Sequence, residues 1–298
     1  MAIEVRTPFA GRELLAFLRH RALVGVERID GAAYQRTVAL AHGPGAIRVE
    51  LSDLGPEAGR STLAATLLAG DPVDLDEAAA LCRRLVDADA DPAGIDATLA
   101  ADPHLAASVA QIPGIRVPGA VDGAEILFRA LWGQQVSVAA ARTALARLTA
   151  QLGEELDEPL AGLTHLFPTP AAIAGLSAAG IAGPRRRAET IASAARDLAA
   201  GTLDLSTDRP TRDVVADLVR RPGIGPWTAG YLAMRWLGDP DVLLSGDLVL
   251  RQGAARVGLP STPAALSAHS RRWQPYCSYA GLHLWRAAPA VGRTAPGG

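Results

Sequence analysis

Hydrophobic and polar positions over the first 70 residues predict a β-rich module built around one helix. The segment AIRVEL (46–51) alternates apolar and polar side chains, which is the period of a strand with one buried face. The stretch GRELLAFLRHRAL is amphipathic with helical spacing, and HGPG at 42–45 predicts a turn between two strands. These patterns indicate strands on both sides of a single helix.

From about Leu75 the pattern changes to alanine- and leucine-rich helices. DADADP at 87–92, IPGIRVPG at 112–119 and FPTP at 167–170 predict turns between helices. A long helical stretch is interrupted at GQQVS, where Gly133 weakens helix propensity and Ser137 is a good N-cap for the next helix. The expected fold class is therefore α+β and mostly α.

Composition excludes several kinds of function. The chain has 298 residues, 49% of them hydrophobic, and a net charge of −2, so any contact with nucleic acid must be local. Two cysteines, Cys82 and Cys277, are too few for an iron–sulfur cluster, and no spacing suggests zinc. No long apolar run or secretory leader is present, which predicts a cytoplasmic protein without membrane contact.

The absence of lysine restricts the chemistry further. All 29 basic residues are arginines, an outcome that a GC-rich coding sequence would also produce. A Schiff base on a lysine amine is nevertheless excluded.

Residues from about 211 to 237 predict a helix-hairpin-helix motif. In TRDVVADLVRRPGIGPWTAGYLAMRWLG, Val214, Val215 and Leu218 share one face, PGIG turns the chain and Pro226 opens a second helix. Glycines allow close backbone approach, and amide groups at a helix N-terminus bind phosphate. A Gly-Pro turn between helices is also common without any function, so the motif requires context.

That context comes from Asp247 and a concentration of aromatic residues. Asp247 follows a Ser-Gly turn at the expected start of a helix, where it is most simply an N-cap. A carboxylate beside the positive helix end is also suited to stabilising an oxocarbenium-like sugar or activating water. Seven of the thirteen aromatic residues lie between 227 and 285, and core packing is the alternative for each: Trp227, Tyr231, Trp236, Trp273, Tyr276, Tyr279 and Trp285.

In several blocks the chain resembles the helix-hairpin-helix DNA glycosylases, specifically the bacterial 3-methyladenine DNA glycosylase II (AlkA) type. The blocks are PGIGPWTAGY followed by an aspartate, RALWGQQVSVAAA, FPTP and RRWQPYCSYAGLHLW. The resemblance implies an N-terminal antiparallel sheet with helices, like half of a TATA-binding protein, over 1–95. It implies one helical subdomain from 96–121 and 240–298, and another, with the motif, over 122–239.

The resemblance also implies a site. Asp247 would be catalytic. The base pocket would be lined by Trp227, Tyr231, Trp285, Phe17 and Leu248. The DNA-binding residues would be Pro222, Gly223, Ile224, Gly225, Gln134 and Gln135. Gln135 matches the wedge that fills the gap left by a flipped base. Side chains would hold no metal, but hairpin carbonyls could bind a structural Na⁺ or K⁺.

The implied function is removal of alkylated purines from double-stranded DNA by a monomeric glycosylase without strand cleavage, associated with the bacterial nucleoid when bound to DNA. Members that also cut the strand carry a lysine at the position of Trp227. Departures from the family pattern at Gln135, Gly246 and Leu248 bear on lesion range. Two alternatives stay open: a glycosylase for oxidised or mismatched bases, and a noncatalytic DNA-binding protein.

Overall fold

The computed structural model describes residues 1–134, 136–160, 162–177 and 180–289. The strands are β1 (Ala2–Phe9), β2 (Glu27–Asp30), β3 (Ala33–Leu40), β4 (Gly43–Glu50), β5 (Leu54–Ala69), β6 (Glu155–Leu160) and β7 (Leu163–His165). The first seven helices are α1 (Gly11–Arg21), α2 (Leu75–Leu85), α3 (Pro92–Ala100), α4 (Pro103–Gln111), α5 (Gly123–Trp132), α6 (Val138–Leu152) and α7 (Pro170–Ala174). The others are α8 (Arg185–Ala199), α9 (Thr211–Val219), α10 (Pro226–Arg235), α11 (Leu248–Arg256), α12 (Pro263–His269) and α13 (Cys277–Ala287).

The N-terminal part is an antiparallel sheet in the order β1-β5-β4-β3-β2. Alternation in β1 buries Ile3 and Val5 against a core that α1 and α2 complete. The predicted turn at 42–45 begins earlier, because Leu40 already pairs with Gly43 and the GPG segment lies within β4. The strand β5, which the sequence pattern did not predict, runs between β1 and β4 and joins the two halves of the sheet.

The helices surround a second and larger core, confirming the mostly helical α+β class. The break between α5 and α6 and the N-cap role of Ser137 are confirmed, since the Ser137 hydroxyl accepts a hydrogen bond from the amide of Ala140. FPTP, however, connects strand β7 to helix α7 rather than two helices, because a short β6–β7 hairpin precedes it. The predicted subdomain boundaries stay predictions.

A buried group of charged residues, the ionic cluster, joins the sheet to α5. It comprises Glu27, Arg36, Glu125 and Arg129, all almost inaccessible to solvent. Arg36 Nη2 lies 2.7 Å from Glu125 Oε2, and Arg129 Nη2 lies 2.6 Å from oxygens of both glutamates. Burial alone would raise the pKa of Glu125, but the charges of Arg36 and Arg129 outweigh it and lower that pKa.

The ionic cluster is connected to the end of α1. Arg129 Nη1 donates a hydrogen bond to the carbonyl of Arg21 at 3.2 Å, and Arg142 Nε donates to the carbonyl of Ala22 at 2.8 Å. The C-terminal turn of α1 is therefore fixed against α5 and α6. Across the described ranges, none of the helices combines the length and the hydropathy needed to cross a membrane.

Candidate active site

Asp247 is the N-cap of α11, as the sequence predicts. Its Oδ1 accepts a hydrogen bond from the amide of Leu250 at 2.8 Å. Two indole groups reach the same carboxylate: Trp227 Nε1 donates to Oδ2 at 2.9 Å and Trp285 Nε1 donates to Oδ1 at 3.1 Å. The side chain is only partly buried. Neutral donors therefore fix a carboxylate that is still accessible to a ligand.

The two tryptophans come from different helices. Trp227 lies in the first turn of α10 and Trp285 near the end of α13. Trp227 stacks on Tyr231 with ring centroids 5.2 Å apart and an interplanar angle of 7°, which follows from their separation of four residues on one helix face. Trp227 and Trp285 are half-buried and Tyr231 is buried. Trp227, Tyr231 and Trp285 together form an aromatic wall with the carboxylate of Asp247 at its edge.

Two arginines belong to this site, although the sequence analysis did not identify them. The guanidinium carbon of Arg21 lies 3.7 Å from the centroid of the Phe17 ring, and that of Arg235 lies 4.9 Å from it. Arg235 also donates from Nη1 to the hydroxyl of Tyr231 at 2.7 Å. Both arginines follow a predicted pocket aromatic by four residues, and this helical spacing was the available signal.

These charges change the electrostatics of the aromatic wall. Burial would raise the pKa of Tyr231, but the charges of Arg235 and Arg21 and the hydrogen bond from Arg235 lower it. Burial lowers the pKa of Arg21, and its electrostatic partners include Asp247 as well as Tyr231. Phe17 is half-buried, with Arg21 and Arg235 both over its ring. The surroundings of the predicted base-pocket residues are thus aromatic and cationic, whereas the sequence predicted a mainly aromatic set.

The hairpin between α9 and α10 forms a shallow depression of about 430 Å³, bordered by residues 219–225 and by Arg186. Gly223 has a φ of +86° and packs so closely on Thr190 that a Cβ atom would collide with it. Ile224 is buried and anchors the turn, whereas Pro222 is exposed. Arg186, Arg220 and Arg221 line this depression. Arg220 pairs with Asp217 and Arg221 with Asp197, so the positive charge available to an anion comes mainly from Arg186.

Other predicted site residues are placed differently. Leu248 is 60% exposed, because the buried face of α11 carries Leu250 instead. Gln134 donates hydrogen bonds from its amide nitrogen within the protein, and Gln135 lies outside the described residues. Among the other clustered aromatics, Trp236 and Trp273 pack in or against the core, the interpretation that the sequence favours for these two. Tyr276 and Tyr279 contact each other, and Tyr279 also bonds to Asp87.

The fold and this geometry define a class. Residues 1–122 match the family model described as the AlkA N-terminal domain. The structure superposes on 3-methyladenine DNA glycosylase from Archaeoglobus fulgidus with a TM-score of 0.80 at 20% identity, covering 96% of this chain and 97% of that one. The chain has the fold of the helix-hairpin-helix DNA glycosylases.

Sequence relatives identify the family. The chain is 34% identical over 284 residues to DNA-3-methyladenine glycosylase 2 of Escherichia coli K12, covering 93% of this chain and 94% of that protein. It is 40% identical over 285 residues to the probable bifunctional transcriptional activator/DNA repair enzyme AlkA of Mycobacterium tuberculosis H37Rv, covering 96% of this chain but 56% of that protein, so it spans about half of that relative's length. The chain belongs to the DNA-3-methyladenine glycosylase 2 (AlkA) family.

Proposed function

We propose that this protein is a monofunctional DNA glycosylase that removes alkylated purines from duplex DNA. The observation that carries the proposal is the carboxylate of Asp247, held by the indole groups of Trp227 and Trp285 beside an aromatic wall. Among the described residues its oxygens have no cationic side chain within ion-pair distance, and Arg21 interacts with it electrostatically at longer range. Its negative charge is therefore not compensated by a direct ion pair and can act on a ligand.

The hairpin supports the proposal by offering a phosphate site. The amides of Gly223 and Gly225 have no acceptor within the part of the chain that the structure describes, and Arg186, which borders the hairpin, adds positive charge. A DNA phosphate there would place the duplex beside the aromatic wall, since Trp227 lies in the first turn of the helix that follows the hairpin. The nucleotide to be excised would be flipped towards Asp247.

The chemistry follows from the charge on each group. A purine alkylated at a ring nitrogen is cationic, so it leaves as a neutral base when it takes both electrons of the glycosidic bond. The positive charge that develops on the sugar is stabilised by the carboxylate of Asp247. Water then forms the C1′–O bond and passes one proton to the carboxylate of Asp247, from which it is lost to bulk water. A general base in this role contributes roughly 10²–10⁴-fold in rate.

The proposal includes hydrolysis without strand cleavage. A lyase of the Schiff-base type needs an amine nucleophile, and the chain has no lysine. The N-terminal amine donates a hydrogen bond to the carbonyl of Ala65 in the sheet. The product would be an intact abasic site.

A second candidate, removal of oxidised or mismatched bases, is favoured by Arg21. Its guanidinium lies on Phe17 and near Tyr231 and Asp247, and a guanidinium can donate hydrogen bonds to carbonyl oxygens of a neutral base. A pocket selecting by such bonds would discriminate among neutral bases more sharply than stacking alone does.

One assay separates the candidates. The protein is incubated with duplexes carrying an alkylated purine, 8-oxoguanine or uracil, and free base and strand breaks are measured before and after hot alkali. We expect release of the alkylated purine with breaks only after alkali. Release of 8-oxoguanine or uracil alone would support the second candidate, and breaks before alkali would contradict monofunctional chemistry.

The remaining parts of the proposal concern assembly and environment. The proposal includes action as a monomer on damaged double-stranded DNA in the cytoplasm. The charged side chains bordering the hairpin are arginines, so a Na⁺ or K⁺ there would bind to backbone carbonyls.

A further inference from the structure

The loop between α5 and α6 is connected to both functional elements by one side chain. Gln134 Nε2 donates to the carbonyl of Gly223 in the hairpin at 3.3 Å. It also donates at 3.1 Å to the hydroxyl of Thr228, the residue that follows Trp227 on α10. A single amide group therefore bridges the loop, the phosphate hairpin and the helix of the aromatic wall.

Helix α8 supports this bridge from the other side. Arg187 Nη1 donates to the carbonyl of Gln134 at 2.9 Å and lies 3.5 Å from the carbonyl of Trp132. Gly183 leaves the space that the Arg187 guanidinium occupies, since a Cβ atom there would collide with it. Two turns of α8 thus fix both the loop and, through the contact between Thr190 and Gly223, the hairpin.

The arrangement is not explained by the needs of the arginine itself. Arg187 Nε is buried and has no hydrogen-bond partner among the described residues, a state that costs free energy. At the end of α5 the amide of Gly133 bonds back to the carbonyl of Arg129, and Arg187 bonds to the carbonyls of Trp132 and Gln134 that follow. Arg187 therefore serves the position of the loop.

We infer that Gln134, held by Arg187, is a positioning residue that couples the phosphate-binding hairpin to the α5–α6 loop during flipping of the damaged nucleotide. The inference rests on the proposed glycosylase function. DNA bound at the hairpin would fix the position of the loop relative to the duplex through Gln134. The bond from Gln134 to Thr228 would fix the neighbouring Trp227 in the same position relative to the hairpin. Loss of the bridge should impair flipping and leave cleavage of the glycosidic bond unchanged.

The test compares two substrates that differ in the cost of flipping. In one duplex the lesion is paired, and in the other it lies opposite an abasic site, where extrusion is easier. Gln134→Met removes both donated bonds at similar volume. We expect kcat/KM to fall about tenfold on the paired lesion and less than about twofold on the unpaired lesion, as expected for lost hydrogen bonds. Gln111→Met, at the exposed end of α4, is the matched control and should change neither value.

Arg187→Met should reproduce the same substrate-dependent loss, with Arg187→Lys intermediate between it and the wild type. Arg196→Met on the exposed side of the same helix is its control. An equal loss on both substrates, or no loss on the paired lesion, would overturn the inference. Circular dichroism and thermal unfolding of each variant exclude misfolding as the cause.

Fluorescence separates this inference from the proposed function. With 2-aminopurine placed next to the lesion, unstacking is measured in an Asp247→Asn background in which no base is released. We expect Gln134→Met to reduce the fluorescence increase on the paired duplex. Failure of the wild type to release any base would refute the proposed function alone, whereas an undiminished fluorescence increase in the Gln134 variant would refute the coupling alone.

Discussion

Two groups of carboxylates in this protein are held in opposite ways. In the ionic cluster, Glu27 and Glu125 are buried and paired with Arg36 and Arg129. At the candidate active site, Asp247 is partly exposed and is held by indole and backbone N–H groups. The first arrangement neutralises the negative charge within the fold, and the second orients the charge without neutralising it.

The difference indicates what each region is built for. Arginine partners compensate the desolvation of buried carboxylates, and they also prevent those carboxylates from acting on anything else. Neutral donors fix an acceptor in position while its full charge remains available to a developing cation. The ionic cluster therefore should contribute to stability and Asp247 to chemistry.

The largest expected effect on stability follows from opening the ionic cluster. Glu125→Gln removes the shared anion and leaves Arg36 and Arg129 with incomplete partners. We expect the free energy of unfolding to fall by about 3–5 kcal/mol, as for other broken buried pairs. Urea denaturation measures it, and base release per folded molecule should be unchanged. If base release were lost and the free energy of unfolding were unchanged, the ionic cluster would have a role in the chemistry and not in stability.

The next effect concerns pH and a buried histidine on the helix that carries Trp285. Burial, followed by the charge of Arg286, lowers the pKa of His283 to about 4. The unfolded chain then binds more protons between pH 6.5 and 4, so stability is present above pH 6.5 and is lost as the pH falls towards 4. The shift corresponds to about 3 kcal/mol.

The free energy of unfolding is measured for the wild type and for His283→Gln by denaturation at several pH values. As the pH falls from 6.5 towards 4, the wild type should lose stability relative to the variant. His42 provides a control of opposite sign. Its hydrogen bond to Asp74 raises its pKa, which gives stability at low pH that is lost as the pH rises. A pH-independent difference for His283→Gln would contradict the prediction.

A smaller effect, now on rate, is expected from one donor to Asp247. Trp285→Phe keeps an aromatic ring and removes the N–H that holds Oδ1. Loss of one hydrogen bond to a charged group should slow single-turnover base release about tenfold. The free energy of unfolding should change by less than about 1 kcal/mol. If the variant lost stability but released base at the wild-type rate, the role of Trp285 would be structural, like that of the ionic cluster.

The smallest effect is expected for an exposed ion pair. Arg185 and Glu189 lie one turn apart on α8, 2.8 Å from each other and largely in solvent. Glu189→Gln should change the free energy of unfolding by less than about 0.5 kcal/mol. It is the same substitution as Glu125→Gln, at a carboxylate that is exposed and has one arginine partner instead of two. Similar losses for both would show that burial and pairing do not distinguish the two sites.

Local signals in the sequence predicted a large part of this structure. Proline, glycine and serine mark the hairpin after α9, the break between α5 and α6 and the cap at Asp247, because capping and turn preferences depend on neighbouring residues. The strand β5 was missed, since its glycine, proline and alanine content is unfavourable for strands. Pairing with β1 and β4 imposes the extended conformation there.

Contacts between segments far apart in the chain could not be predicted from such local signals. Arg36 and Glu125 are separated by 89 residues, and their pairing depends on how the sheet packs on α5. The meeting of Phe17 with Arg235 depends equally on tertiary packing. The proximity of Asp247 to Trp227 and Trp285 was expected from family resemblance, whereas the hydrogen bonds that orient it became evident from the structure.

The central claim is tested most directly by single-turnover base release from an alkylated duplex by wild type and Asp247→Asn. Asparagine caps a helix about as well as aspartate, so the free energy of unfolding should change by less than about 1 kcal/mol. Loss of the charge should slow release by roughly 10²–10⁴-fold while DNA binding persists. Release at the wild-type rate by a folded Asp247→Asn protein would contradict the account.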